Sequence, residues 1–265
     1  MHWFDGRLCE GSDITLAIDE PAFLYGATVF TTLRVYGSSL DHPLTCWAAH
    51  QDRLAQTLRA FSWSAPHWNR LRQGAESLSK EFPVLRLACF PDGRELVTGR
   101  SLPTGLEQMQ RQGVSVWVAD DALYTRSQPA YKTGNYLGSW LALQGAQRYG
   151  AREAILTNSQ GHWLETSTGS LWGWAQGRWH TPELESGILA GVARLHLIRY
   201  LEQRGEPVSQ APWPAAASQR FEALAYSNSV VQLVLIHTVI GDRSRLELDP
   251  QHPALEGLRT AFQED

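Results

Sequence analysis

Residues Ala130–Trp174 read AYKTGNYLGSWLALQGAQRYGAREAILTNSQGHWLETSTGSLWGW. A polar, turn-rich opening with one lysine gives way to apolar residues at helical spacing. Tyr136, Trp140 and Leu143 share one side, and the pattern stops at Gly150, a helix C-terminal signal. Three short apolar runs follow, EAILTN, WLE and GSLWGWA, with the turn SQGH between the first two. They predict a meander of short strands. A helix feeding a run of strands indicates an α+β fold. No GxGxxG follows a strand and no GxxxxGK[ST] occurs, so dinucleotide-binding and P-loop folds lack their residues.

Working outward, FDGRL (Phe4 to Leu8) reads as a hairpin on an Asp-Gly turn. ATVFTTLRVYG (Ala27 to Gly37) alternates as a strand does. Val29, Thr31, Leu33 and Val35 lie on one face, and Phe30, Thr32, Arg34 and Tyr36 on the other. CWAAHQDRLAQTLRAF has helical spacing, VLRLACF is a second strand, and PTGLEQMQRQG is a short helix before the strand VSVWVAD. The polar stretch after Asp120 suggests a boundary there. The expected organisation is therefore a smaller N-terminal α+β domain at 1–120 and a larger C-terminal α+β domain at 121–265. In the latter, SGILAGVARLHLIRYLEQRG reads as a loop and a strong helix ending at Gly205, and AYSNSVVQLVLIHTVIGD as paired strands.

The chain has 265 residues, 43% apolar and 19% charged, with net charge −4, as expected of an ordinary folded protein. It has no basic block, so nucleic acid is not an expected partner. The longest apolar run, SVVQLVLIHTVIG, is too short for a bilayer and is broken by Gln232 and His237. The start, MHWFDGRL, lacks a signal-peptide layout. Cys9, Cys46 and Cys89 form no CxxC and cannot all pair, which points to a reducing, cytoplasmic setting. The histidines, among them His42, His50 and His162, form no HExxH or similar spacing, so no metal site is expected. The eleven tryptophans are expected to fill cores and dimer contacts.

Of 23 basic residues only Lys80 and Lys132 are lysines. A lysine amine can lose its proton, form a Schiff base with an aldehyde and shuttle protons, none of which a guanidinium does. Thirty-three positions on, Glu165 ends a short strand and is followed by Thr166, Ser167 and Thr168, a carboxylate and hydroxyl cluster suited to a polar aromatic cofactor. Gly191, Val192 and Ala193 open a helix whose amides can hold an anion. Arg53, one turn into its own helix, could make a bidentate phosphate contact. Each feature also has an ordinary reading: a solvated lysine, a strand-end turn, a helix cap and a surface arginine.

Taken together, LYGATVFTTLRVYG, HQDRL, the Ala130–Trp174 block, GILAGVAR and SNSVVQLVL resemble, in order, the class IV aminotransferase family of pyridoxal-phosphate enzymes. That family includes D-amino acid aminotransferase, branched-chain aminotransferase and 4-amino-4-deoxychorismate lyase. VFTTLRV and SNSVV look most like the lyase. The resemblance implies a two-domain fold-type IV architecture of the D-amino acid aminotransferase kind, a pyridoxal 5'-phosphate cofactor and a homodimer. It implies that Lys132 is the Schiff-base lysine and that Glu165 pairs with the pyridine nitrogen. Arg53, the amides of Val192 and Ala193, and Ser229 would hold the phosphate. Leu189 would pack on the ring, with Ser167 and Thr168 nearby. Phe30, Thr32 and Arg34 would face a small-molecule amine substrate.

Several positions depart from the family pattern. Ala27-Thr28 stands where many relatives have Asp-Gly, Ala193 where they have Thr, and Ser170 where they have Asn. In ACFPDGRELVTGR, Phe90 takes a position expected to be arginine, leaving Arg94 and Arg100 as replacements. The expected activity is elimination from 4-amino-4-deoxychorismate to give 4-aminobenzoate and pyruvate, with Lys132 as base. Arg34 would bind a substrate carboxylate and Thr32 would position the leaving oxygen. Transamination of branched-chain or D-amino acids is the alternative, and a non-catalytic homologue is the third reading.

Overall fold

The computed structural model describes residues 1–242 and 244–263, and of residues 217–219 the backbone alone. The described chain forms two compact units. The first is Met1–Pro103 with Tyr131–Tyr136, and the second is Thr104–Ala130 with Leu137–Asp265.

The first unit contains β1 (His2–Phe4), β2 (Arg7–Cys9), α1 (Pro21–Tyr25), β3 (Val29–Arg34), α2 (Trp47–Ala60), α3 (Trp68–Ser79), β4 (Val84–Cys89) and β5 (Glu95–Arg100). Its sheet has the order β2-β1-β5-β4-β3, antiparallel throughout. The first hairpin closes on Asp5 and Gly6, both at positive φ, as an Asp-Gly two-residue turn requires. It is tied down by the buried carboxylate of Glu95, which accepts from Trp3 Nε1, Gly6 N and Arg70 Nε.

β3 alternates as its sequence dictates. Val29, Thr31 and Leu33 are wholly buried, and Val29 and Leu33 join Leu54, Leu58, Leu71, Ala75 and Leu78 of α2 and α3 in one core. Burying such aliphatic side chains contributes roughly 1.5–3 kcal/mol each.

The second unit contains α4 (Leu106–Gln112), β6 (Val114–Ala119), α5 (Leu137–Arg148), β7 (Glu153–Thr157), β8 (Trp163–Thr166), β9 (Ser170–Ala175), β10 (Arg178–Pro182), α6 (Val192–Gln203), β11 (Ser209–Ala211), β12 (Ala223–Asn228), β13 (Gln232–Ile240), β14 (Arg245–Glu247) and α7 (Pro253–Arg259). Its nine-stranded sheet runs β11-β10-β9-β12-β13-β6-β7-β8, with β14 beside β13. Helices α6 and α7 cover one core on β12 and β13, and α5 covers another on β6 and β7. Among the described residues no helix is long and apolar enough to cross a membrane.

Three expectations change. The boundary near Asp120 is replaced by one near Pro103, because β6 pairs in parallel with β13 and β7 of the second unit. Tyr131–Tyr136 in turn returns to the first unit, because its backbone pairs with β3. The strands after Gly150 are not one meander. β7 pairs with β8 and β9 with β10, but β8 and β9 lie far apart in the hydrogen-bonded order. The turn Thr166–Gly169 joins them, with Thr166 N donating to Gly169 O at 2.7 Å.

The helix predicted from Tyr136 begins at Leu137. Its buried face is Ser139, Ala142, Gly145 and Ala146, while Trp140 stays 53% exposed. Small residues on this face let Trp117 pack against the helix, its ring within 2.8 Å of where a Gly145 Cβ would stand.

Candidate active site

In the first unit the Lys132 segment lies along the start of β3. Phe30 N donates to Lys132 O at 2.9 Å, and Gly134 N donates to Thr28 O at 2.7 Å. The approach is close enough that a Cβ on Gly134 would stand 2.4 Å from Thr28 Oγ1 and 2.6 Å from Gly26 O. Glycine at 134 therefore sets the seating of the lysine.

Lys132 Nζ donates to Tyr136 Oη at 3.2 Å and lies 4.7 Å from the centre of the Phe30 ring. Phe30 and Tyr136 meet edge to face at 5.6 Å. Over the Phe30 ring lies the guanidinium of Arg86, its Cζ 3.5 Å from the ring centre. A hydrogen-bonded amine and a stacked cation thus share one aromatic floor.

Arg86 stands directly opposite Thr32 across the β3–β4 ladder, on the same face as Phe30 and Arg34. Arg34 lies with its Cζ 4.9 Å from the Tyr36 ring. The expected face of Phe30, Thr32 and Arg34 is therefore present, and Arg86 joins it. Arg94, the further substrate-binding candidate, donates to Glu20 Oε2 at 2.5 Å and to Asp92 Oδ2 at 2.6 Å. Phe90 packs on Phe4 at 5.9 Å, filling the position where arginine was expected with an apolar contact.

Arg53 lies on α2 with Nη2 donating to Thr31 Oγ1 at 2.6 Å. The same hydroxyl meets His50 Nδ1 at 2.6 Å. His50 is held well below the ordinary histidine range, by burial first and then by the positive charges of Arg53 and Lys132.

In the second unit Glu165 lies in β8, one residue before its end, and is buried. Its Oε1 accepts from Arg126 Nη1, and its Oε2 accepts from Leu189 N at 3.2 Å. A carboxylate gripped by a guanidinium and an amide is fixed in its role as an acceptor. Leu189 is itself buried. Val192 and Ala193 open α6, whose N-cap is Gly191 and which has no side-chain cap. A Cβ at Gly191 would stand 2.9 Å from Ser170 Oγ, so the bare backbone keeps this helix end clear. Ser229 is half-buried in the turn after β12.

Ser167 and Thr168 both meet the carboxylate of Glu153. Ser167 Oγ donates to Glu153 Oε2 at 2.5 Å and Thr168 Oγ1 to Glu153 Oε1 at 2.7 Å. Burial raises the Glu153 carboxyl, opposed by these hydroxyl bonds. Both hydroxyls are spent on a buried carboxyl that sequence reading did not single out.

The amino-transferase class IV model matches residues 28–239. The chain belongs to that family. Class IV relatives divide over what they do. Aminodeoxychorismate lyase of Vibrio harveyi is 25% identical over 227 residues, covering 80% of this chain and 81% of the relative. A branched-chain-amino-acid aminotransferase of Salmonella typhimurium is 21% identical over 269 residues, covering 90% and 84%. The PLP-bound form of a hypothetical aminotransferase from Mycobacterium tuberculosis superposes with a TM-score of 0.80 at 22% identity, covering 96% of this chain and 95% of that one. The two-unit α+β architecture is thus the class IV fold.

The residues of each unit fit the family's cofactor. The first unit presents an amine on an aromatic floor and an arginine. The second presents a held carboxylate and an uncapped helix end of the kind that takes phosphate. Tyr136, Arg126 and Arg86 were missed from sequence. Only Tyr136 carried a local signal, its position four residues after Lys132.

Proposed function

We propose that the chain is a pyridoxal-phosphate-dependent 4-amino-4-deoxychorismate lyase that forms 4-aminobenzoate and pyruvate, a reaction of folate biosynthesis. The observation that carries this reading is the β3–β4 face beside Lys132, where Phe30, Thr32 and Arg34 stand with Arg86 opposite Thr32. Arg86 and Arg34 are two cations on one face, suited to a substrate with two carboxylates. The Vibrio harveyi relative supports the same assignment.

Lys132 would bind the cofactor's aldehyde and Glu165 would hold its ring nitrogen, with Arg53 and the amides of Val192 and Ala193 on its phosphate. When bound, pyridoxal phosphate supplies an electron-accepting ring joined to the substrate amine. Lys132 Nζ takes the proton from the amine-bearing carbon, while Tyr136 Oη accepts from Nζ and keeps it aimed. Arg34 and Arg86 bind the substrate carboxylates. Thr32 directs its hydroxyl to the ether oxygen of the leaving enolpyruvyl group, which departs as the substrate ring becomes aromatic. Ser167 and Thr168 act at one remove, by fixing Glu153.

The exposed apolar side chains Ile18, Phe23, Leu24 and Tyr25 support a homodimer. The second reading, a branched-chain-type transaminase, draws on the Salmonella relative. Incubating the loaded protein with 4-amino-4-deoxychorismate alone separates the two. The lyase forms 4-aminobenzoate with no 2-oxo acid added. Turnover that requires a 2-oxo acid and an amino-acid donor overturns the lyase and favours the transaminase.

A further inference from the structure

Leu54 and Leu58 of α2 share one apolar core with Leu33 of β3 and Leu87 of β4. Into it are set three polar side chains: Thr31, His50 and Arg53. His50 and Arg53 are one turn apart on α2, so they share a helix face. Thr31 Oγ1 lies 2.6 Å from each of Arg53 Nη2 and His50 Nδ1.

A guanidinium only donates, so Thr31 Oγ1 accepts from Arg53 Nη2, and the second partner of the same hydroxyl is His50 Nδ1. His50 Nε2 is buried and makes no hydrogen bond among the described residues. A buried polar nitrogen without a partner is a cost to folding. Leucine and valine at 50 and 31 would avoid that cost, so the trio does not serve packing.

We propose that His50 is a positioning residue for Arg53: its bond to Thr31 Oγ1 holds in place the hydroxyl that accepts from Arg53 Nη2, and so fixes where the guanidinium stands toward the cofactor phosphate. The proposal rests on the reading of Arg53 as a phosphate ligand. Without His50 the Thr31 side chain loses its second partner, and the oxygen that accepts from Arg53 is held by one bond instead of two.

The test compares affinities for pyridoxal phosphate and for pyridoxal, which lacks the phosphate, by visible absorbance titration of purified protein. Thr31→Val and His50→Leu are expected to lower the ratio of the two affinities about tenfold, with pyridoxal affinity and thermal midpoint near wild type. His50→Asn keeps a polar partner near Nδ1 and is expected to restore most of the ratio. Arg53→Gln is expected to lower it further. If Arg53→Gln lowers the ratio but Thr31→Val and His50→Leu do not, the positioning role is wrong. If Arg53→Gln leaves the ratio unchanged, the phosphate assignment fails first and the inference falls with it. Thr31→Val, nearly isosteric, carries the test if His50→Leu does not fold.

Discussion

Lys132 Nζ donates to Tyr136 Oη at 3.2 Å, and the two residues stand four apart in the segment Tyr131–Tyr136, which belongs with β3 to the first unit. The bond exists because the segment is extended along β3 before α5 begins, which brings both side chains to the Phe30 ring. The phenol oxygen and the Phe30 and Tyr136 rings thus stand around the amine before any ligand arrives.

Removing that acceptor tests its part in proton transfer. Tyr136→Phe keeps the ring on Phe30 and loses only the oxygen. A bond to a charged or reacting amine is worth about 1.5–3 kcal/mol, so kcat should fall at least tenfold with the cofactor still bound. A kcat within twofold of wild type would mean that Lys132 does not need the phenol.

Arg86 is expected to act on binding. Arg86→Gln removes the cation stacked on Phe30 while leaving the strand intact. KM for 4-amino-4-deoxychorismate should rise roughly tenfold or more, with kcat changed less. Steady-state kinetics over a wide substrate range read the difference, and an unchanged KM would remove Arg86 from the site.

The Arg126–Glu165 pair is nearly closed to solvent, with side chains 7% and 8% exposed. Arg126→Leu leaves a buried carboxylate without its cation and should cost about 3 kcal/mol of unfolding free energy. The double substitution Arg126→Leu, Glu165→Leu should recover most of that loss. Denaturant unfolding of the four proteins in the cycle measures it, and additive losses would contradict coupling between the two.

Glu153 makes stability depend on pH. Burial sets its folded pKa above the unfolded one, so its contribution is full below the unfolded value near 4.3 and is lost as pH rises through the folded value. Relative to Glu153→Gln, the wild type should lose stability between acid and neutral pH. Parallel denaturation curves for the two proteins across that range would contradict the assignment.

Much of this was legible in the sequence because it is local. Alternation in ATVFTTLRVYG separates Val29, Thr31 and Leu33, all buried, from Thr32 and Arg34, which are partly exposed, although Phe30 on the second face is buried as well. The Asp5-Gly6 turn dictates its own hairpin. What escaped is non-local. β6 looks like the end of the first domain until it is seen beside β13, over a hundred residues on. Arg126 meets Glu165 across 39 residues, and no spacing rule joins them. Arg86 lies in VLRLACF, whose apolar neighbours make it read as an outward-facing strand residue. Ser167 and Thr168 are correctly a hydroxyl cluster, but a hydroxyl does not declare its acceptor, and Glu153 lies fourteen residues before Ser167.

The central claim is that the amine of Lys132 binds the cofactor aldehyde. The chain tests it cleanly, because Lys80 is the one other lysine. Purified protein incubated with pyridoxal phosphate is reduced with borohydride, digested and analysed by mass spectrometry. The account predicts one stoichiometric pyridoxyl-phosphate adduct, on the peptide containing Lys132, and none in Lys132→Ala. An adduct on Lys80 or the N-terminus with Lys132 unmodified, or no adduct at all, would contradict it.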